Sequence, residues 1–142
     1  MARTTVVGVE ISEMYTLQAR EGIILLAMDA RGNYLLEGYV SKQKMQAEFM
    51  RTLLLHFETP QDALARLLAQ RGMSARSLRQ LGVVYPKDPE VERYYVFVAS
   101  DTLCLNTQSL LRVDLETLIS YIEARVFQRP EDLQALKEFL IK

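Results

Sequence analysis

The strongest constraint on the fold is a short, unbroken apolar run, Gly22-Ile23-Ile24-Leu25-Leu26-Ala27-Met28. A run of this length without polar alternation is typical of a strand that is buried on both faces. Asp29-Ala30-Arg31-Gly32 follows as a turn, with glycine at the position that tolerates a positive φ. Residues 33–39 return as the second arm, so we predict a β-hairpin.

Other strands are predicted from shorter runs of apolar and β-branched residues, over residues 4–11, 50–57, 81–85 and 91–99. Residues 41–48 are rich in charged and amide side chains, which indicates an exposed connection. His56 follows three consecutive leucines at what looks like the end of a buried strand, and we expect a packed or edge histidine and not a catalytic one.

Three helices are predicted. The first begins after Thr59, with Pro60 in its first position and Asp62 completing a variant of the capping box, and it ends at Gly72. A second helix is capped by Asp114, and a third begins near Pro130. Strands, one helix, more strands and two final helices predict an α+β fold with a mixed sheet.

Composition excludes several classes of protein. The 142 residues suit one domain, and 17 basic against 18 acidic side chains do not suit a strong binder of nucleic acid. The single cysteine, Cys104, excludes an internal disulfide or a cysteine-rich zinc site, and any histidine-dependent triad would need His56. No apolar run reaches the length of a membrane span, and the N-terminus lacks a long apolar signal region, so we expect a cytoplasmic protein without a membrane partner. The balanced charge likewise predicts no nucleic-acid partner.

The order of these elements resembles a Nudix domain, and is most similar to the ADP-ribose pyrophosphatase branch. Glu58-Thr59-Pro60 opens the helix and Gly72-Met73-Ser74-Ala75 closes it. Tyr85-Pro86-Lys87-Asp88-Pro89 and Tyr95-Val96-Phe97-Val98-Ala99 match a loop and a strand of that branch. The resemblance implies a Nudix-like α/β/α sandwich over residues 20–142, preceded by a strand and dimerisation segment over residues 1–19, and therefore a homodimer.

The family's catalytic motif is changed in this chain. The Nudix box reads G-x5-E-x7-R-E-U-x-E-E-x-G-U, where U is aliphatic, and its glutamates belong to a Mg²⁺-dependent reaction. Anchored on Gly72-Met73, the box places Arg66, Ala69 and Gln70 at three glutamate positions. The local charge changes from −3 to +1, although Mg²⁺ requires hard oxygen ligands such as carboxylates. Glu58 lies about one residue from the position of the first glutamate of the box.

We therefore expect a Nudix-like protein that lacks metal-dependent hydrolysis and acts as a nucleotide-derivative-binding or regulatory module. No cofactor and no metal ligand is assigned, and the ligand would be a nucleoside-diphosphate derivative such as ADP-ribose. Arg66 and Gln70 are the candidate ligand-binding residues, since guanidinium groups bind phosphate oxygens in a bidentate way. The structural alternative for Arg66 is a surface ion pair with Asp62, four residues earlier.

Two other functions stay open. A divergent hydrolase would cleave ADP-ribose or a similar compound with Mg²⁺, using Glu58 and Glu92 as the remaining catalytic candidates and Asp62 as a further carboxylate. A structural module would keep the fold with a vestigial pocket and use its surface for protein interactions.

Overall fold

The computed structural model describes residues 20–41, 43–105, 110–127 and 129–140. The predicted strand over residues 4–11 and the proposed dimerisation segment lie outside the described residues. The strands are β1 (Arg20–Met28), β2 (Tyr34–Ser41), β3 (Lys44–Glu48), β4 (Met50–Leu53), β5 (Met73–Val84), β6 (Val91–Cys104) and β7 (Leu110–Val113). The helices are α1 (Pro60–Gln70), α2 (Leu115–Glu123) and α3 (Pro130–Ala135), which continues into a π-helical turn, Leu136–Leu140.

β1 lies inside the sheet and is buried on both faces, as the apolar run predicts. Residues 23–27 have no exposed surface. β1 pairs in parallel with β6, while its other edge pairs antiparallel first with β4 and then with the start of β2. The hairpin turn is also confirmed: the Asp29 carboxylate accepts hydrogen bonds from the backbone N–H groups of Arg31 and Asn33, and Gly32 has a φ of +81°.

Helices cover both faces of this sheet. On one face, α1 packs its buried side chains against alternate residues of β1, including Ile23 and Leu25. On the other face, Leu118 of α2 and Leu136 join Ile24 and Leu26. Burying one such leucine or isoleucine contributes about 1.5–3 kcal/mol. The layers form an α/β/α sandwich with a mixed sheet, which confirms the predicted fold class.

The sequence interpretation was wrong about three segments between these elements. Residues 44–48 form β3 rather than an exposed connection, because Gln43, at a φ of +63°, closes a tight turn back onto β2. β4 ends at Leu53 and not at Phe57, so His56 lies exposed in the turn that follows the strand. β5 begins eight residues earlier than predicted, at Met73, directly after the helix stop at Gly72.

Near its C-terminal end, β5 packs against the π-helical turn, Leu136–Leu140, that follows α3. Its pairing with β6 is interrupted between Gln80 and Gly82. A Cβ atom at Gly82 would lie 2.7 Å from a ring carbon of Phe139, so the aromatic ring packs directly on the glycine backbone. No helix in the described part of the chain is long and apolar enough to span a bilayer.

A buried charge network joins β4 to α3. The Arg51 guanidinium donates hydrogen bonds to the carboxylates of Asp132 and Glu131, and its Nε lies 3.3 Å from Glu48. Asp132 is fully buried and also accepts a hydrogen bond of 3.1 Å from the Phe49 N–H. Because three carboxylates surround one guanidinium, with only the half-exposed Arg129 beside Glu48, the network carries excess negative charge.

Proton uptake by Asp132 should make stability depend on pH. Burial raises the pKa of Asp132 from 3.8 to about 6, despite the opposing effect of Arg51. The native chain therefore binds a proton at a higher pH than the unfolded chain, and this contribution to stability is lost as the pH rises through 6. The expected slope is at most about 1.4 kcal/mol per pH unit.

Urea unfolding from pH 7 to pH 5 tests this expectation. The free energy of unfolding of the wild type should rise relative to that of Asp132→Asn as the pH falls. Glu123→Gln, which removes an exposed carboxylate from α2, is the control and should follow the wild type. Parallel curves for the wild type and Asp132→Asn would contradict the raised pKa.

Candidate functional site

The N-terminus of α1 is closed by the predicted capping box. The Asp62 N–H donates to Thr59 Oγ1 and the Thr59 N–H donates to Asp62 Oδ2, both at 3.1 Å. Pro60 occupies the first helical position. The Asp62 carboxylate is therefore used at the start of the helix, and the predicted ion pair between Asp62 and Arg66 is not formed.

Arg66 pairs instead with Glu58. Its Nε donates to Glu58 Oε2 at 2.8 Å and its Nη2 to Glu58 Oε1 at 2.9 Å, which is a bidentate contact. The same guanidinium donates to the Leu53 carbonyl at 2.8 Å and to Thr52 Oγ1 at 3.1 Å. Arg66 therefore connects the end of β4, the turn that follows it and the first turns of α1.

Glu58 is held as a carboxylate by this arrangement. Hydrogen bonds from Arg66 and from the Leu55 N–H lower the pKa of Glu58 from 4.5 to about 2. The turn that it closes contains Phe57, which has a φ of +67° and is 91% exposed. A non-glycine residue in this region costs of order 1–3 kcal/mol and persists where its surroundings fix it. Glu58 contacts Leu55, which precedes Phe57, and Arg66, which follows it, and these two contacts fix the backbone around Phe57.

The Glu58–Arg66 pair suggests a second register for the box. These residues are eight positions apart, which is the E-x7-R spacing of the motif. When the Glu and Arg of the motif are aligned with Glu58 and Arg66, its next three glutamate positions fall on Leu67, Gln70 and Arg71. Gly72 then lies one residue before the glycine position of the motif. In both registers, none of the three positions carries a carboxylate.

The residues of this register do not fit Mg²⁺. Leu67 is buried and has no donor atom, Gln70 is exposed, and Arg71 is positively charged. The Arg71 Nη2 lies 2.9 Å from the Glu37 carboxylate of β2, and both side chains are about one third exposed. The Arg71 Nε is buried without a hydrogen-bond partner. Sequence reasoning missed Arg71 and Glu37, although the spacing from Glu58 to Arg66 could have indicated Arg71.

Glu92 lies in a different group of contacts. Its carboxylate accepts a hydrogen bond from Arg93, whose Nε is 3.2 Å from Glu21. Glu21 also accepts a hydrogen bond of 3.0 Å from the Tyr95 hydroxyl. The two catalytic candidates, Glu58 and Glu92, are therefore each paired with an arginine. Among the described residues, no group of three or more His, Cys, Asp or Glu side chains is arranged to hold a metal ion.

Comparison with solved structures identifies the class of fold. An ADP compounds hydrolase matches at a TM-score of 0.65 and 19% identity, over 84% of this chain and 70% of its own. A NUDIX hydrolase from Nitrosomonas europaea matches at 0.61 and 11%, over 86% and 88%. MutT, from a study of the Aliivibrio salmonicida and Vibrio cholerae proteins, gives 0.61 and 11%, over 86% and 100%.

These matches show that the chain has the Nudix fold, as the resemblance in the sequence implies. No protein-family model matches the sequence, and no curated protein matches it. At these identities the likeness establishes the fold alone.

The Glu58–Arg66 pair should stabilise the start of α1 through direct coupling. We expect Glu58→Gln and Arg66→Gln each to lower the free energy of unfolding, and the double variant to lose less than the sum of the two. The reason is that either substitution alone already removes the bidentate contact. Urea unfolding at pH 7 measures the three values.

Glu37→Gln, Arg71→Gln and their double variant supply a matched double-mutant cycle on an ion pair that is more exposed than Glu58–Arg66. Its coupling should not exceed about 1 kcal/mol, which is the usual upper range for such pairs. Additive effects of Glu58→Gln and Arg66→Gln would show that the two side chains are not coupled in solution.

Proposed function

We propose that this Nudix-fold protein binds a nucleoside-diphosphate derivative, such as ADP-ribose, without hydrolysing it and acts as a regulatory module. The observation that carries the proposal is the replacement of three acidic positions by Leu67, Gln70 and Arg71. Leu67 and Arg71 have no oxygen with which to ligate a divalent cation, whereas the Arg71 guanidinium, once released from Glu37, can bind phosphate oxygens directly. The hydrolysis would lack its metal, while diphosphate binding would not need one.

Arg71 and Gln70 are the residues best placed to contact the diphosphate. Arg71 is about one third exposed, and its guanidinium is paired with the carboxylate of Glu37, which is equally exposed. Gln70 is exposed on the preceding position and offers an amide donor. Arg66 lies one turn earlier, but a phosphate would have to compete with Glu58 for its guanidinium. Arg66 thus contributes to binding mainly by fixing the turn before α1.

We also propose that the protein is a cytoplasmic homodimer whose contacts include residues 1–19. The support comes from the sequence: residues 4–11 read as an apolar strand, and an uncovered strand edge requires a partner. Light scattering on the full chain, which gives the molar mass in solution, would distinguish a dimer from a monomer.

Calorimetric titration of ADP-ribose, with EDTA and with Mg²⁺, tests the proposed binding. We expect saturable binding that does not need the metal. Arg71→Gln should weaken it roughly ten- to a hundredfold, which corresponds to the loss of one hydrogen bond to a charged group. Arg129→Gln, which removes a half-exposed arginine that pairs with Glu48 and directly precedes α3, is the control and should bind like the wild type.

An assay of product release from ADP-ribose and related compounds, with Mg²⁺ or Mn²⁺ and an EDTA control, tests the proposed lack of hydrolysis. We expect no metal-dependent turnover. Turnover that is lost in Glu92→Gln would instead establish the divergent hydrolase. Absence of both turnover and binding across the panel would favour the structural module.

A further inference from the structure

Among the described strands, β5 lies at the edge of the sheet and is one of the longest. β5 pairs with β6 along most of its twelve residues. In the described ranges of the chain, no strand pairs with the other edge of β5. The N–H and C=O groups on such an edge form a template to which another extended chain can bind.

A groove runs beside this edge on the face covered by α1. Its walls are Leu64 and Leu68 of α1 and Leu78 of β5, and Phe97 of β6 lines its floor. The groove has a volume of about 320 Å³, and Leu78 is 46% exposed within it. Because successive side chains of a strand point to opposite faces, alternate side chains of a strand added to β5 would enter this groove.

The charge of this region limits what can bind there. β5 contains two arginines, Arg76 and Arg79, and no aspartate or glutamate. Within β5, Arg76 is 84% exposed and its guanidinium is 3.7 Å from Asp101, while Arg79 is exposed at the rim of the groove. Pairing β5 with a second copy of itself would bring four arginines together. An acidic chain would neutralise them instead.

We propose that β5 and the adjacent groove bind an extended acidic peptide segment of a partner protein, which adds a strand to the sheet. Aliphatic side chains of the peptide enter the groove between Leu78 and α1, and its carboxylates lie near Arg76 and Arg79. The backbone hydrogen bonds supply affinity, and the groove and the arginines supply selectivity, as in other cases of strand addition. This site does not depend on nucleotide binding near Arg71.

Arginines on an edge strand also prevent aggregation, and that role predicts no peptide binding. A display library of random twelve-residue peptides, selected against the full-length protein, distinguishes the two roles. We expect enriched sequences to contain both acidic and aliphatic residues. Failure to enrich any sequence, or enrichment of neutral or basic ones, would overturn the proposal.

Fluorescence anisotropy of the most enriched peptide then tests the location. The double variant Arg76→Glu, Arg79→Glu should weaken binding about tenfold or more, since attraction becomes repulsion. Ala65→Trp, which fills the groove from α1, should weaken it as well. The control Arg31→Glu, Lys44→Glu makes the same charge change at the hairpin turn and at the opposite edge strand, and should leave the affinity unchanged.

Two further measurements complete this test. Thermal unfolding of each variant confirms that it is folded before its affinity is compared. Hydrogen exchange should show that the bound peptide protects the β5 amides that point away from β6. Protection confined to another element, or equal affinity for both charge-changed variants, would place the peptide elsewhere and refute the proposal.

Discussion

The burial of β1 on both faces is the constraint on which the other elements depend. A strand without an exposed face requires one layer of side chains above the sheet and another below it, and α1 and the C-terminal helices supply these layers. β6 runs parallel to β1, and parallel strands cannot be joined by a short hairpin. The chain between them must therefore return to the end of the sheet at which β1 begins. That connection contains α1 and the turn held by Glu58, which places the candidate site beside the central strands.

Around α1, two ion-paired arginines stand at or next to the positions at which the Nudix motif has glutamates. Arg66 is neutralised by Glu58 and Arg71 by Glu37, and neither arginine is free of structural constraints. The two pairs differ in their exposure and in the number of other partners that each arginine has. Arg66 uses all three of its nitrogens in contacts with Glu58, Thr52 and Leu53, whereas Arg71 pairs with Glu37 through Nη2 and both of these side chains are more exposed. The second pair is therefore the one that a phosphate could open at lower cost.

Elements with strong local signals could be predicted from the sequence. The hairpin turn at Asp29 and the capping box of α1 depend on side chains within four residues of each other, and both are confirmed. β3 could not be predicted, because the turn before it uses Gln43 at a positive φ where glycine or asparagine is usual. Residues 76–80 of β5 are exposed on both faces, so they lack the alternation by which a half-buried strand is recognised.

The partner of Arg66 also lay beyond local reasoning. Asp62 has the spacing of a helical ion pair, but its carboxylate accepts the Thr59 N–H instead, while the turn brings Glu58 to the guanidinium. The glycine at position 82 is explained by another tertiary contact, because the Phe139 ring packs where a side chain would begin. In chains that share this packing, a larger residue at position 82 is accommodated only if the ring at position 139 shifts or is replaced by a smaller side chain, which couples β5 to the C-terminal helical layer.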